Sequence, residues 1–136
     1  MILLQKYLID FGAILLVLAL TPAGLAQEYF SVKEYNMFHD LLHPLEHEAL
    51  PAKDFQRIRS NAEGLVKRGK AILKVGIPDR TAERDREEFG KELKKFKTAL
   101  NKLTRDAKRG SDAQLQESFS AVHESFEMLA GMLPRK

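Results

Sequence analysis

The 136-residue chain contains no cysteine, which excludes a disulfide framework, a thiolate metal site and covalent haem attachment through C-x-x-C-H. It also lacks a glycine-rich phosphate loop, a Ser-His-Asp order and a zinc-protease H-E-x-x-H pair, since His47-Glu48 has no second histidine to complete one. These absences point away from an enzyme. The apolar stretch Phe11 to Leu20 is only ten residues long, well short of the roughly 20 that a membrane-spanning helix needs.

That short stretch has a different meaning at the amino terminus. A lone Lys6 precedes it, Pro22 breaks it, and Gly24 and Ala26 place small residues at the minus-three and minus-one positions of a secretory signal. The sequence therefore predicts a signal peptide over 1–26, cleaved after Ala26, and a periplasmic protein; retention of the segment as an anchor is the alternative. The remainder, 27–136, is 110 residues, enough for one domain with one core. Without disulfides, that domain must hold together by packing alone.

Helical periodicity dominates the remainder. Phe89, Leu93, Phe96, Leu100, Leu103 and Ala107 alternate steps of four and three before Gly110, an apolar seam on one helix face. Leu115, Phe119, Val122, Phe126, Leu129 and Leu133 repeat it after Ser111 and Gln114, which have capping-box spacing. Phe55, Ile58, Ala62, Leu65, Gly69, Ile72 and Leu73 mark a helix between Pro51 and the pair Gly76 and Pro78. Phe38, Leu41, Leu42, Leu45 and Ala49 mark a first helix starting near Glu28, with Pro44 set to kink it by clashing with the carbonyl at Asp40. The expected fold is all-α, an antiparallel up-down-up-down four-helix bundle following the signal peptide. No segment reads as a strand.

Charge divides the helices into two pairs. Residues 53–109 carry 18 Lys and Arg against 9 Asp and Glu, whereas 27–52 and 110–134 together carry one basic residue against nine acidic ones. The first and fourth helices thus form an acidic pair, and all four histidines lie on it. A negative surface lowers the cost of gathering a cation there. The basic helices, including Lys91, Lys94, Lys95 and Lys97, form a solvated face, and nucleic acid is not an expected partner of an exported chain.

The histidines are the strongest functional signal. His39, His43 and His47 fall at four-residue steps, which stacks them along one stripe of a helix. On a wheel of about 100° per residue they lie near +100°, +140° and +180° from the apolar face, and His123 lies near +80° on the last helix. Antiparallel packing sets His123 level with Phe38 and His39, so one hand of the bundle turns both stripes into a shared seam. The candidate metal ligands are His39, His43, His47 and His123, with Glu46 and Glu127 near enough to ligate or to hold an imidazole tautomer. Three or four imidazoles with a carboxylate and no thiolate suit Zn²⁺, Cu²⁺ or Ni²⁺. Met37, Met128 and Met132 fall on the other flank and read as packing residues.

The final helix reads A-V-H-E-S-F-E-M-L, with His123 well along it, and Met37 lies early in the first. An exported bundle so arranged resembles the cytochrome b562 and cytochrome c′ group, without the C-x-x-C-H of the latter. The resemblance implies a four-helix bundle and, on the b562 pattern, haem held between Met37 and His123. The segment H-x-x-x-H-P-x-x-H is also similar to exported bundle proteins of bacteria, which implies periplasmic residence. The leading expectation is a periplasmic metal-binding bundle acting as chaperone, buffer or sensor. A structural or partner-binding bundle comes second and a non-covalent haem b protein third. The metal ion is the expected partner, with a homodimer sharing the His47 edge left open.

Overall fold

The computed structural model describes residues 28–136. The signal peptide expected over 1–26 lies outside the described residues. Four helices account for most of the rest, with no strand among the described residues. They are α1 (Lys33–Pro44), which continues as a π-helical turn over Leu45–Ala49, α2 (Phe55–Val75), α3 (Glu83–Arg109) and α4 (Asp112–Gly131). Among the described residues, no helix is long and apolar enough to cross a membrane.

The helix ends follow from local chemistry. Asp54 caps α2 by accepting from the Arg57 N–H at 3.1 Å, and Gly76 ends it at φ 68°, a conformation that costs glycine little. Glu83 and Asp85 open α3 while Lys108 and Arg109 close it, each sign complementing the helix dipole. At Gly110 a side chain is excluded by space, since a Cβ there would lie 2.8 Å from Asp106 Cα and 2.9 Å from Asp106 O. The expected capping box is present, Ser111 and Gln114 satisfying each other's backbone N–H groups.

The start of α1 differs from the expectation near Glu28. Asn36 Oδ1 accepts from the N–H groups of Tyr29 and Phe30 at 2.8 and 2.9 Å, and its Nδ2 donates to Phe30 O at 2.9 Å. This side chain folds 28–32 into a strap across the first turn, so the helix begins at Lys33. Ser31 Oγ donates to Pro134 O at 2.6 Å and ties the strap to the carboxyl-terminal tail.

The core is one cluster drawn from all four helices. Phe38 of α1 meets Phe96 of α3 at 5.4 Å and Phe126 of α4 at 4.8 Å between ring centres, distances typical of favourable aromatic pairs. Leu100 fills the space beside Gly69, where an added Cβ would lie 2.7 Å from its methyl groups. Two buried carboxylates interrupt this apolar packing on α3. Glu92 accepts from Ser125 Oγ at 2.9 Å, and Asp106 accepts from Ser118 Oγ and from Arg105 Nε at 3.1 Å. Each polar pair joins α3 to α4, satisfying groups that would be costly to bury alone. Arg59 near the start of α2 donates to Asp106 O, Ala107 O and Gly110 O at 3.0, 3.1 and 2.9 Å, adding a second donor to Asp106 O, which already accepts from the Gly110 N–H at 2.9 Å, and covering the other two carbonyls at the end of α3.

Backbone approach is close between α1 and α2, α2 and α3, and α3 and α4. Helices α1 and α4 meet mainly through long side chains, notably Phe126 against Tyr35 and Phe38. The wider seam this leaves is where the histidines lie.

Candidate metal centre

Pro44 shapes the histidine stripe. It has no N–H for the Asp40 carbonyl, and immediately after it the chain widens into the π turn, in which Leu50 N–H bonds Leu45 O at 2.9 Å. A turn closed over five residues rotates each residue by less than the α-helical 100° or so. Positions 46 and 47 are therefore turned back relative to an ideal wheel. His47, placed toward solvent by the wheel, returns toward the line of His43: their ring centres are 4.3 Å apart, against 5.2 Å for His39 and His43. Glu46 is turned toward the core by the same change, and its side chain is 22% exposed.

The three imidazoles of this stripe have different surroundings. His39 is packed edge-on by Tyr29 and Phe30 at 5.0 and 5.6 Å and stacked with Phe126 at 6.4 Å. Its pKa is held below the ordinary histidine value, first by burial and then by the neighbouring His43, with His47 adding to the lowering and Asp40 and Glu127 opposing it. Neutral imidazole, the form that ligates metal, is thus favoured at His39. His43 and His47 are exposed.

Helix α4 contributes His123, which is half-buried between two carboxylates. Its Nε2 lies 3.1 Å from Glu127 Oε1 and its Nδ1 3.7 Å from Glu46 Oε1. The level expected for His123, opposite Phe38 and His39, is taken by Phe126, and His123 stands beside Glu46, nearer the π turn. All four histidines, together with Glu46 and Glu127, nevertheless line one cavity of about 40 Å³ over Leu42 and Phe126. That volume suits a water or a single ion. No Lys or Arg lines it.

Among the described residues no three His, Asp or Glu side chains stand in the arrangement of a formed metal site. His123 is turned onto its carboxylates, and His43 and His47 pack against each other with their rings tilted by 38°. The 5.2 Å between His39 and His43 is close to the roughly 5 Å that separates two imidazoles sharing one tetrahedral ion at about 2.1 Å. Rotation of the exposed His43 and His47 side chains is open to solvent.

The methionines stand elsewhere. Met37 and Met128 are exposed rather than packed; Met37 borders a groove with Gly64, Lys67 and Arg68 on the α2 side, and Met128 one with Glu88 and Glu92 on the α3 side. Met37 and His123 thus line different grooves. Sequence reasoning missed the buried Glu92 and Asp106, because carboxylates beside an apolar seam read as its solvated flank.

Comparisons of the chain with protein-family models, with curated proteins and with solved structures find no match.

Proposed function

We propose that this is an exported bundle of antiparallel up-down-up-down helices that binds a divalent transition metal in the groove between α1 and α4, serving as a metal chaperone, buffer or sensor. The observation that carries the reading is the gathering of His39, His43, His47 and His123 with Glu46 and Glu127 around one small cavity lacking any Lys or Arg. Imidazoles supply borderline donors for Zn²⁺, Cu²⁺ or Ni²⁺, and the carboxylates offset the charge of a dication. The acidic character of α1 and α4 favours the same occupant. Binding requires His43 and His47 to turn from one another toward the ion, a change of rotamer at two exposed side chains.

The antiparallel arrangement is supported by cross-helix contacts. Arg59, early in α2, reaches the end of α3, while Ser118 and Ser125 meet Asp106 and Glu92 in reversed order along α3 and α4. Export is supported by the pattern of 1–26.

Calorimetric titration of Zn²⁺ and Cu²⁺ tests the reading. One site per chain is expected, weakened in both His43→Ala and His123→Ala; absence of binding by the unaltered protein would refute it. A second reading, a bundle that binds a protein partner, is favoured by the exposure of His43 and His47 and by the unformed ligand geometry. It predicts no metal stoichiometry.

A further inference from the structure

Among the side chains of the histidine groove, Glu46 alone has an oxygen that is sealed from solvent and has no hydrogen-bond donor. Its other oxygen lies 3.7 Å from His123 Nδ1, beyond hydrogen-bond length. That one oxygen has lost its hydration without gaining a donor, an arrangement that a nearby positive charge would complete. No Lys or Arg of the groove supplies that charge, and His123 does so only when protonated. The π turn after Pro44 is what points Glu46 inward, and such turns recur at functional sites.

From this geometry we infer that Glu46 is an oxygen ligand of the ion, beside His123 and with His43 one turn back on α1, so that the groove is a mixed carboxylate–imidazole centre selecting a dication such as Zn²⁺ over Cu⁺. The inference rests on the metal-binding reading above and adds a ligand and a selectivity to it. A carboxylate is a hard, charged donor that strengthens binding of divalent ions, whereas Cu⁺ is selected by soft sulfur. The exposed methionines lie in other grooves, and the chain has no cysteine. The sulfur that would reverse this preference is therefore absent from the site.

Glu46→Gln tests the assignment, because it keeps the side-chain volume and removes the charge. The purified protein is titrated with Zn²⁺, and with Cu⁺ under anaerobic conditions, and its Co²⁺ form is followed by visible absorption. Glu46→Gln should raise the Zn²⁺ dissociation constant by about 10- to 100-fold, leave that for Cu⁺ within about threefold, and change the Co²⁺ bands even at saturation. Glu48→Gln serves as the control, being exposed and paired with Arg57, and should leave all three unchanged. Wild-type Zn²⁺ affinity and an unaltered Co²⁺ spectrum in Glu46→Gln would overturn the assignment; loss of binding in His43→Ala would then leave the metal-binding reading standing on imidazoles alone. Failure of the unaltered protein to bind any of the three ions overturns both. Should Glu46→Gln not fold, the unaltered protein carries the test: Zn²⁺ must shift its carboxylate stretching bands in the infrared, and unmoved bands overturn the assignment.

Discussion

Replacing Tyr35 by Phe removes one oxygen atom and should make the protein more stable. Tyr35 is fully buried, packed against Phe30 and Phe126 at 6.4 and 5.8 Å, and its hydroxyl has no hydrogen-bond partner. Burial alone raises its pKa far above the ordinary tyrosine value of 10.0. A hydroxyl buried without a partner costs about 1–3 kcal/mol on mutational scales. Deleting it leaves a void of atomic size, worth roughly 0.3 kcal/mol at the usual cavity cost. The net expectation is a gain of about 1–2.5 kcal/mol, or roughly 4–10 °C in Tm for a domain of this size. Urea unfolding followed by circular dichroism should show a higher midpoint with an unchanged slope. Alkaline pH adds a signature. Because the folded-state pKa is raised, the stability that depends on a neutral Tyr35 is fully present below about pH 10 and is lost as pH rises beyond it, since the unfolded chain ionises first. The advantage of Tyr35→Phe should therefore widen above that pH. A Tyr35→Phe protein no more stable than wild type would refute the reasoning and show that the hydroxyl has a buried partner.

Other perturbations follow from named contacts. Asp106 is held below the usual carboxylate range, first by its hydrogen bond from Ser118 and then by that from Arg105; this stability is present above the ordinary value of 3.8 and is lost as pH falls beneath it. Ser118→Ala should therefore move the acid-unfolding midpoint to higher pH, and an unmoved midpoint would count against the bond. Gly69→Ala sets a helix-propensity gain of about 1 kcal/mol against overpacking of about 1–3 kcal/mol, because the new Cβ meets the buried Leu100 at 2.7 Å. Its unfolding midpoint should fall by about 1 kcal/mol equivalent, and a rise would mean that Leu100 moves aside freely.

The helices were legible because their seams are long and regular. Gly110 and the Ser111–Gln114 box mark a helix boundary in sequence as they do in structure. The start of α1 was not legible, since Asn36 acts through four hydrogen bonds to backbone upstream of it, a fold-back that periodicity does not register. Pro44 announced a break, but the sequence does not say whether a proline bends a helix or widens its next turn. That choice decides where Glu46 and His47 point. Glu92 and Asp106 stayed hidden because their burial depends on Ser125 and Ser118, partners on another helix. The four histidines were visible as a set, and their sharing of one groove follows from α1 and α4 meeting through side chains rather than close backbones.

The most direct test of the account is calorimetric titration of Zn²⁺ into the purified protein, alongside His43→Ala and His123→Ala. One site per chain is expected in the unaltered protein and a weaker site in both variants, since the ion joins α1 to α4. Zn²⁺ binding that is the same in His123→Ala as in the unaltered protein, or no binding at all, would contradict it.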